Sequence, residues 1–148
     1  YNNFIKLTTN KYLYRGIQSQ QDVFSDRLTL FLLHFAFFLK EFKNSENQKI
    51  IQEIYDFNFK QIELNIREIG YGDQSVNKRM KDYINNFHAI ISNIHFWNEL
   101  DKVEKEKKIS PFLTNFQNIE YLVDYFEVFR NNLANKSLKS FLKSVSKH

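Results

Sequence analysis

The sequence has no cysteine. That excludes disulfides, zinc–thiolate sites, iron–sulfur clusters and thiol catalysis. Proline occurs once and glycine three times in 148 residues. So few breakers leave little room for the frequent turns of a strand-rich fold and favour long helices. The longest apolar run, Leu28–Leu39, has 12 residues, short of the roughly 20 a membrane-spanning helix needs. Neither sign of charge dominates: 21 Lys and Arg face 17 Asp and Glu, for a net charge of +4. A balance this mild attracts anionic surfaces weakly and does not by itself mark a nucleic-acid binder. No internal repeat, low-complexity linker or secretory signal pattern is evident.

Apolar side chains are plentiful. Hydrophobic residues make up 43% of the chain, and 16 of them are Phe. One domain over residues 1–148 is expected. Helical periodicity predicts an all-α bundle of five or six helices. The first covers about 9–21, with Tyr12, Leu13 and Ile17 inward. The next, about 25–43, is apolar nearly all round and should be the most buried. Ser25 is its expected cap, and Asp26 suits its first turn. A third is expected from Ser45, with Ser45 and Gln48 as a capping box. Its stripe is Ile50, Ile51, Ile54, Phe57, Ile62, Ile66 and Ile69, and Gly70 ends it in a left-handed conformation. Asp73 or Ser75 caps a fourth, which runs to about Leu100 with Val76, Met80, Tyr83, Ile84, Phe87, Ile91 and Ile94 inward. Residues 101–108, D-K-V-E-K-E-K-K, read as a solvated connector. Ser110 and Pro111 open a helix over about 111–134, and a last one covers about 136–147.

Two of the three glycines, Gly70 and Gly72, share the stretch R-E-I-G-Y-G-D-Q-S-V-N-K-R-M-K at residues 67–81. A phosphate loop would follow a strand and carry more glycine; here a helix precedes it. Gly70 and Gly72 instead suit a tight corner between helices, each relieving an unusual backbone angle. The charges around them have two readings. Arg27, Glu63, Arg67, Glu68 and Asp73 can lock the corner in one polar network. Equally, Arg67, Glu68, Gly70, Gly72, Asp73, Lys78 and Lys81 can present a surface to a partner protein.

His34 sits in the most apolar helix and is expected to be a hydrogen-bonded core histidine rather than a metal or haem ligand. His88 and His95 are seven residues apart, about 10 Å along a helix, too far to share a metal. His95 and Glu99 are four apart but lack a further ligand. No arrangement suggests a hydrolase or di-iron site, so no catalysis, metal or cofactor is expected. Lys136, Lys139, Lys143 and Lys147 surround the apolar stripe of the last helix. They mark either a lid helix with solvated lysines or a contact to an anionic membrane or ribosomal RNA.

The stretch Phe59–Lys81, F-K-Q-I-E-L-N-I-R-E-I-G-Y-G-D-Q-S-V-N-K-R-M-K, resembles the signature of the ubiquinol–cytochrome c chaperones, assembly factors of the cytochrome bc1 complex. That signature reads F-x-D-M-D-x-x-L-R-E-M-G-V-G-D-x-x-V-x-K-x-M-K. Phe59, Arg67, Glu68, Gly70, Gly72, Asp73, Val76, Lys78, Met80 and Lys81 match it by identity. Upstream, D-R-L-T-L-F-L-L-H echoes a family pattern at Arg27, Leu33 and His34, and Leu13, Tyr14 and Gln18 echo another; downstream only Phe87 does. The resemblance covers about residues 12–95. Gln61 stands where the family has its first Asp, Ile90 where it has an Arg, and the loop over residues 20–25 is shortened.

The resemblance implies a non-catalytic helical chaperone that holds newly made cytochrome b. It further implies a small helical partner protein, a place near the ribosomal tunnel exit, and no specific DNA. The location would be the bacterial cytoplasm at the inner membrane, or the matrix side of the mitochondrial inner membrane. The rival reading is a basic helical adaptor that binds ribosome or nucleic acid without a client.

Overall fold

A computed structural model of the chain describes residues 23–136. The expected helix over 9–21, with Leu13, Tyr14 and Gln18, lies outside the described residues. So do Lys139, Lys143 and Lys147 of the last helix. The described part comprises five α-helices: α1 (Val23–Phe42), α2 (Gln48–Ile69), α3 (Asp73–Ile94), α4 (Lys102–Ile109) and α5 (Ile119–Ala134). Short 3-10 turns span Trp97–Glu99 and Ser110–Phe112. Among the described residues there is no β-strand, so the fold is the expected all-α bundle.

The central element is α1. From Leu30 to Phe38 only His34 interrupts the apolar run, and every residue of it is buried. A helix without a polar face must be covered on all sides. Phe35 stacks on Phe87 of α3 with ring centroids 5.1 Å apart, and packs against Tyr55 and Phe59 of α2. Toward α5, Phe37 stacks on Phe126 at 5.2 Å and meets the edge of Trp97 at 5.0 Å. Aromatic pairs at these separations add to burial itself, by about 0.5–1.5 kcal/mol each.

His34 is the polar exception inside α1 and is fully buried. Its Nδ1 lies 2.6 Å from the Leu30 carbonyl and its Nε2 lies 2.6 Å from the Tyr125 hydroxyl. A carbonyl only accepts, so Nδ1 carries the proton and donates; Nε2 then accepts from Tyr125. Phe126 and Phe129 close over the ring edge-on. Burial holds the histidine neutral, pulling its pKa from 6.5 to about 4 against the smaller opposing effect of the Leu30 hydrogen bond. The expected core role is what the geometry shows.

Several boundaries differ from the expected ones. α1 is already helical at Val23, the first described residue, so Ser25 lies within the helix instead of capping it. Asp26 there is buried and accepts from Asn115 Nδ2 at 3.0 Å. α2 begins at Gln48 after Asn47, not at Ser45. The α1–α2 corner is held by asparagines: the Asn47 N–H donates to Asn44 Oδ1, and Asn47 Nδ2 donates to the Phe42 carbonyl. Side chains make this turn, so the Ser45 and Gln48 pattern was not needed. On α2, Ile51, Asn58, Phe59, Ile62 and Ile66 are buried. Ile50, Phe57 and Ile69, read as inward, are exposed. The stripe rotates toward Phe59 because Phe35 and Phe87 offer it a ring-lined slot.

The largest correction concerns residues 101–109. The charged run is not a connector but α4, capped by Asp101 accepting from the Glu104 N–H at 2.8 Å. Lys102 and Lys105, one turn apart, face an acidic row on α5. Lys102 Nζ lies 3.0 Å from Glu120 and 3.1 Å from Asp124, and Lys105 pairs with Glu127. Glu120, Asp124 and Glu127 recur at helical spacing, so the pairing is face to face. Ser110 and Pro111 form a 3-10 turn rather than opening a long helix, and α5 starts only at Ile119. The intervening loop still contributes core, with Leu113 and Phe116 buried. α3 likewise stops at Ile94, before the Trp97–Glu99 turn.

The core geometry makes two predictions. Folded His34 resists protonation to about pH 4, while the unfolded chain takes up that proton near 6.5, so the unfolded state binds more protons between the two. Stability is therefore full above about pH 6.5 and falls as the pH drops toward 4, by up to about 3 kcal/mol. Urea unfolding across that range should show this slope, and His34→Gln should flatten it. Asn58 is fully buried, and neither its Oδ1 nor its Nδ2 finds a hydrogen-bond partner among the described residues. Asn58→Leu should raise stability by about 1–2 kcal/mol, because it removes an uncompensated polar group at similar volume.

Candidate functional site: the α2–α3 corner

α2 ends because Gly70 adopts φ +108°, the left-handed conformation that side chains resist. Its N–H closes onto the Arg67 carbonyl at 3.0 Å. Gly72 behaves differently from expectation. At φ −72° and ψ 165° it is ordinary extended backbone, and it is itself the residue preceding α3. Asp73 is the first helical residue rather than the cap, and its carboxylate lies where the positive end of the helix dipole favours an anion.

That carboxylate is also the hinge of the corner's polar contacts. Arg67 reaches across the turn, with Nη1 2.5 Å from Asp73 Oδ1, and back along α2, with Nη2 3.1 Å from Glu63 Oε1. One guanidinium thus bridges the last turn of α2 and the first turn of α3. The Asp73 hydrogen bond and then the Glu63 one raise its pKa still further, so it is a fixed positive charge. On the other side, the Arg79 guanidinium lies 3.9 Å above the Tyr71 ring, a cation–π contact that fastens the loop to α3. Beneath them Val76 is fully buried and Met80 packs against the core.

The residues singled out from the sequence therefore divide. Arg67, Glu63 and Asp73 form one contact set. Glu68, Lys78 and Lys81 are exposed beside it and make no hydrogen bond or ion pair with the described residues. Arg27 is exposed on α1 and takes no part in the cluster. His34 is occupied with Leu30 and Tyr125, so Arg27, His34 and Glu63 share no network. Lys136, the last described residue, donates its N–H to the Leu133 carbonyl just past α5. His88 lies 3.5 Å from the Tyr55 hydroxyl, and His95 packs on Phe96. Among the described residues no three His, Cys, Asp or Glu side chains converge for a metal ion, and no helix is long and apolar enough to cross a membrane.

Sequence reasoning missed Tyr71 with Arg79, Tyr125 as the partner of His34, and the lysine–acid pairing of α4 with α5. The first had a signal, an aromatic residue between the two glycines. The last had one too, in matching charge periodicities on two segments. Nothing local points from His34 to a tyrosine 91 positions away.

The two glycines should respond differently to alanine. A Cβ on either meets nothing within 4 Å, so only backbone strain matters, and only Gly70 has it. Gly70→Ala should cost about 1 kcal/mol and Gly72→Ala close to nothing, as read from urea midpoints. The paired variant Arg67→Ala with Lys78→Ala should leave helicity and melting temperature nearly unchanged, because exposed ion pairs stabilise little.

No curated protein and no solved structure matches the chain. The family description Ubiquinol-cytochrome C chaperone matches residues 19–96. That span takes in α1, α2 and the whole corner, and it ends just past α3. The match covers more than half of the sequence and contains the R-E-I-G-Y-G-D corner, and the chain belongs to the ubiquinol-cytochrome C chaperone family.

Proposed function

We propose that this protein is a non-catalytic assembly chaperone of the cytochrome bc1 complex and that it holds newly made cytochrome b. Membership of the family supports the assembly role. The client and the surface that grips it are our reading. The observation that carries it is the α2–α3 corner. There Arg67 is fixed by Asp73 and Glu63, while Glu68, Lys78 and Lys81 stay exposed on the two helices that flank the turn. Exposed charges contribute little to folding, so a folding role alone leaves most of them without a task. Charges held in place by ion pairs can set orientation and specificity in a partner interface.

The work of such a chaperone is binding, and its partners would be the client, a small helical protein and the ribosome near its tunnel exit. Its place would be the membrane surface on the bacterial cytoplasmic or mitochondrial matrix side. The lysines of the C-terminal segment, Lys136, Lys139, Lys143 and Lys147, would add attraction to anionic lipid there.

The test is affinity capture of the tagged protein from native membranes at low and moderate salt, with bound proteins identified by mass spectrometry. Cytochrome b is expected at both salts, and its recovery should fall with Arg67→Ala plus Lys78→Ala. Ribosomal components that leave as salt rises, with no cytochrome b at either salt, would replace this reading with the adaptor.

A further inference from the structure

Large apolar side chains lie exposed on the outward face of α2. Phe57 is 54% exposed, Ile50 47% and Leu64 41%. They recur every seven residues, which keeps them in one row that drifts only about 20° per step. α2 has 22 residues and is about 33 Å long, so the row spans most of it with Phe57 near the middle. Between these apolar residues lie Glu53 on the N-terminal side of Phe57 and Lys60 on the C-terminal side. Both are exposed, and neither has an ion-pair partner among the described residues.

This pattern is self-complementary in one orientation. If a second α2 lies antiparallel across the first with the two Phe57 rings at the centre, Ile50 meets Leu64 of the second copy. Glu53 then comes beside Lys60 of the second copy, and the two-fold axis repeats both contacts. A parallel arrangement sets Glu53 against Glu53 and Lys60 against Lys60. The antiparallel one also aligns the two helix dipoles favourably. We propose that the exposed face of α2 is a homodimer interface, in which two copies of this chain pair antiparallel about Phe57. A single helix pair is a small contact, at the low end of specific interfaces, so the dimer forms at protein concentrations on the order of micromolar. Symmetric self-complementarity of one patch is what a two-fold contact requires.

Sedimentation equilibrium of the full chain tests this over about 1 to 200 µM, a range that brackets such an affinity. The wild type should shift from monomer to dimer. Phe57→Glu should remain monomeric throughout, and Glu53→Lys and Lys60→Glu should each weaken the dimer by about tenfold or more. Mixing those two charge variants should restore it, because each supplies the sign the other has lost. All three positions are exposed, so circular dichroism should be unchanged in every variant. A wild type that stays monomeric at the highest concentration would overturn the proposal. So would a dimer indifferent to Phe57→Glu, or one that the mixed charge variants do not recover.

Discussion

Because α1 is apolar around its whole circumference, no single neighbouring helix can cover it. Phe35 and Phe37 point to different sides, one into rings from α2 and α3, the other into Trp97 and Phe126. The surrounding elements are therefore arranged by what α1 needs covered. That requirement explains why a loop residue such as Leu113 or Phe116 is as buried as a helical one. It also explains why α5, distant in sequence, comes to lie along α1 and supplies the hydroxyl that His34 requires.

The α2–α3 corner stands on this core but is built by other means. Its inner side is Val76 and Met80, packed on the bundle. Its outer side is a left-handed glycine, a bridging arginine and an arginine seated on a tyrosine. Packing sets where the corner is, and charge sets what it shows to solvent. A surface can change its partners without disturbing the core only when those two tasks fall on separate residues. Glu68, Lys78 and Lys81 meet that condition here, and Arg67 meets it too, since its ion pairs with Glu63 and Asp73 lie at the surface.

The long helices were legible because their apolar residues recur at helical period and breakers are scarce. Gly70 was legible for a related reason, since a glycine closing a long periodic run has few other uses. The errors fall where two local patterns compete. Ser45 looked like a cap, but the asparagines on either side make better turn contacts. Ser110–Pro111 looked like a helix start, but the chain uses it as a single turn before α5. The D-K-V-E-K-E-K-K run looked solvated because its partner charges lie on a segment about 20 residues away.

The sequence by itself determined the helical class, the buried character of α1, the left-handed end of α2 and the family signature at the corner. These rest on near neighbours, where side-chain period and backbone preference act within one or two turns. Only the tertiary structure decided that His34 is neutral and bonded to Tyr125, that α4 exists, that Phe59 rather than Phe57 faces inward, and that Arg67 joins Asp73 while Arg27 does not. Each of these depends on which distant surface arrives alongside. Burial, ion pairing and hydrogen bonding act through space, and a local pattern records only one half of each contact.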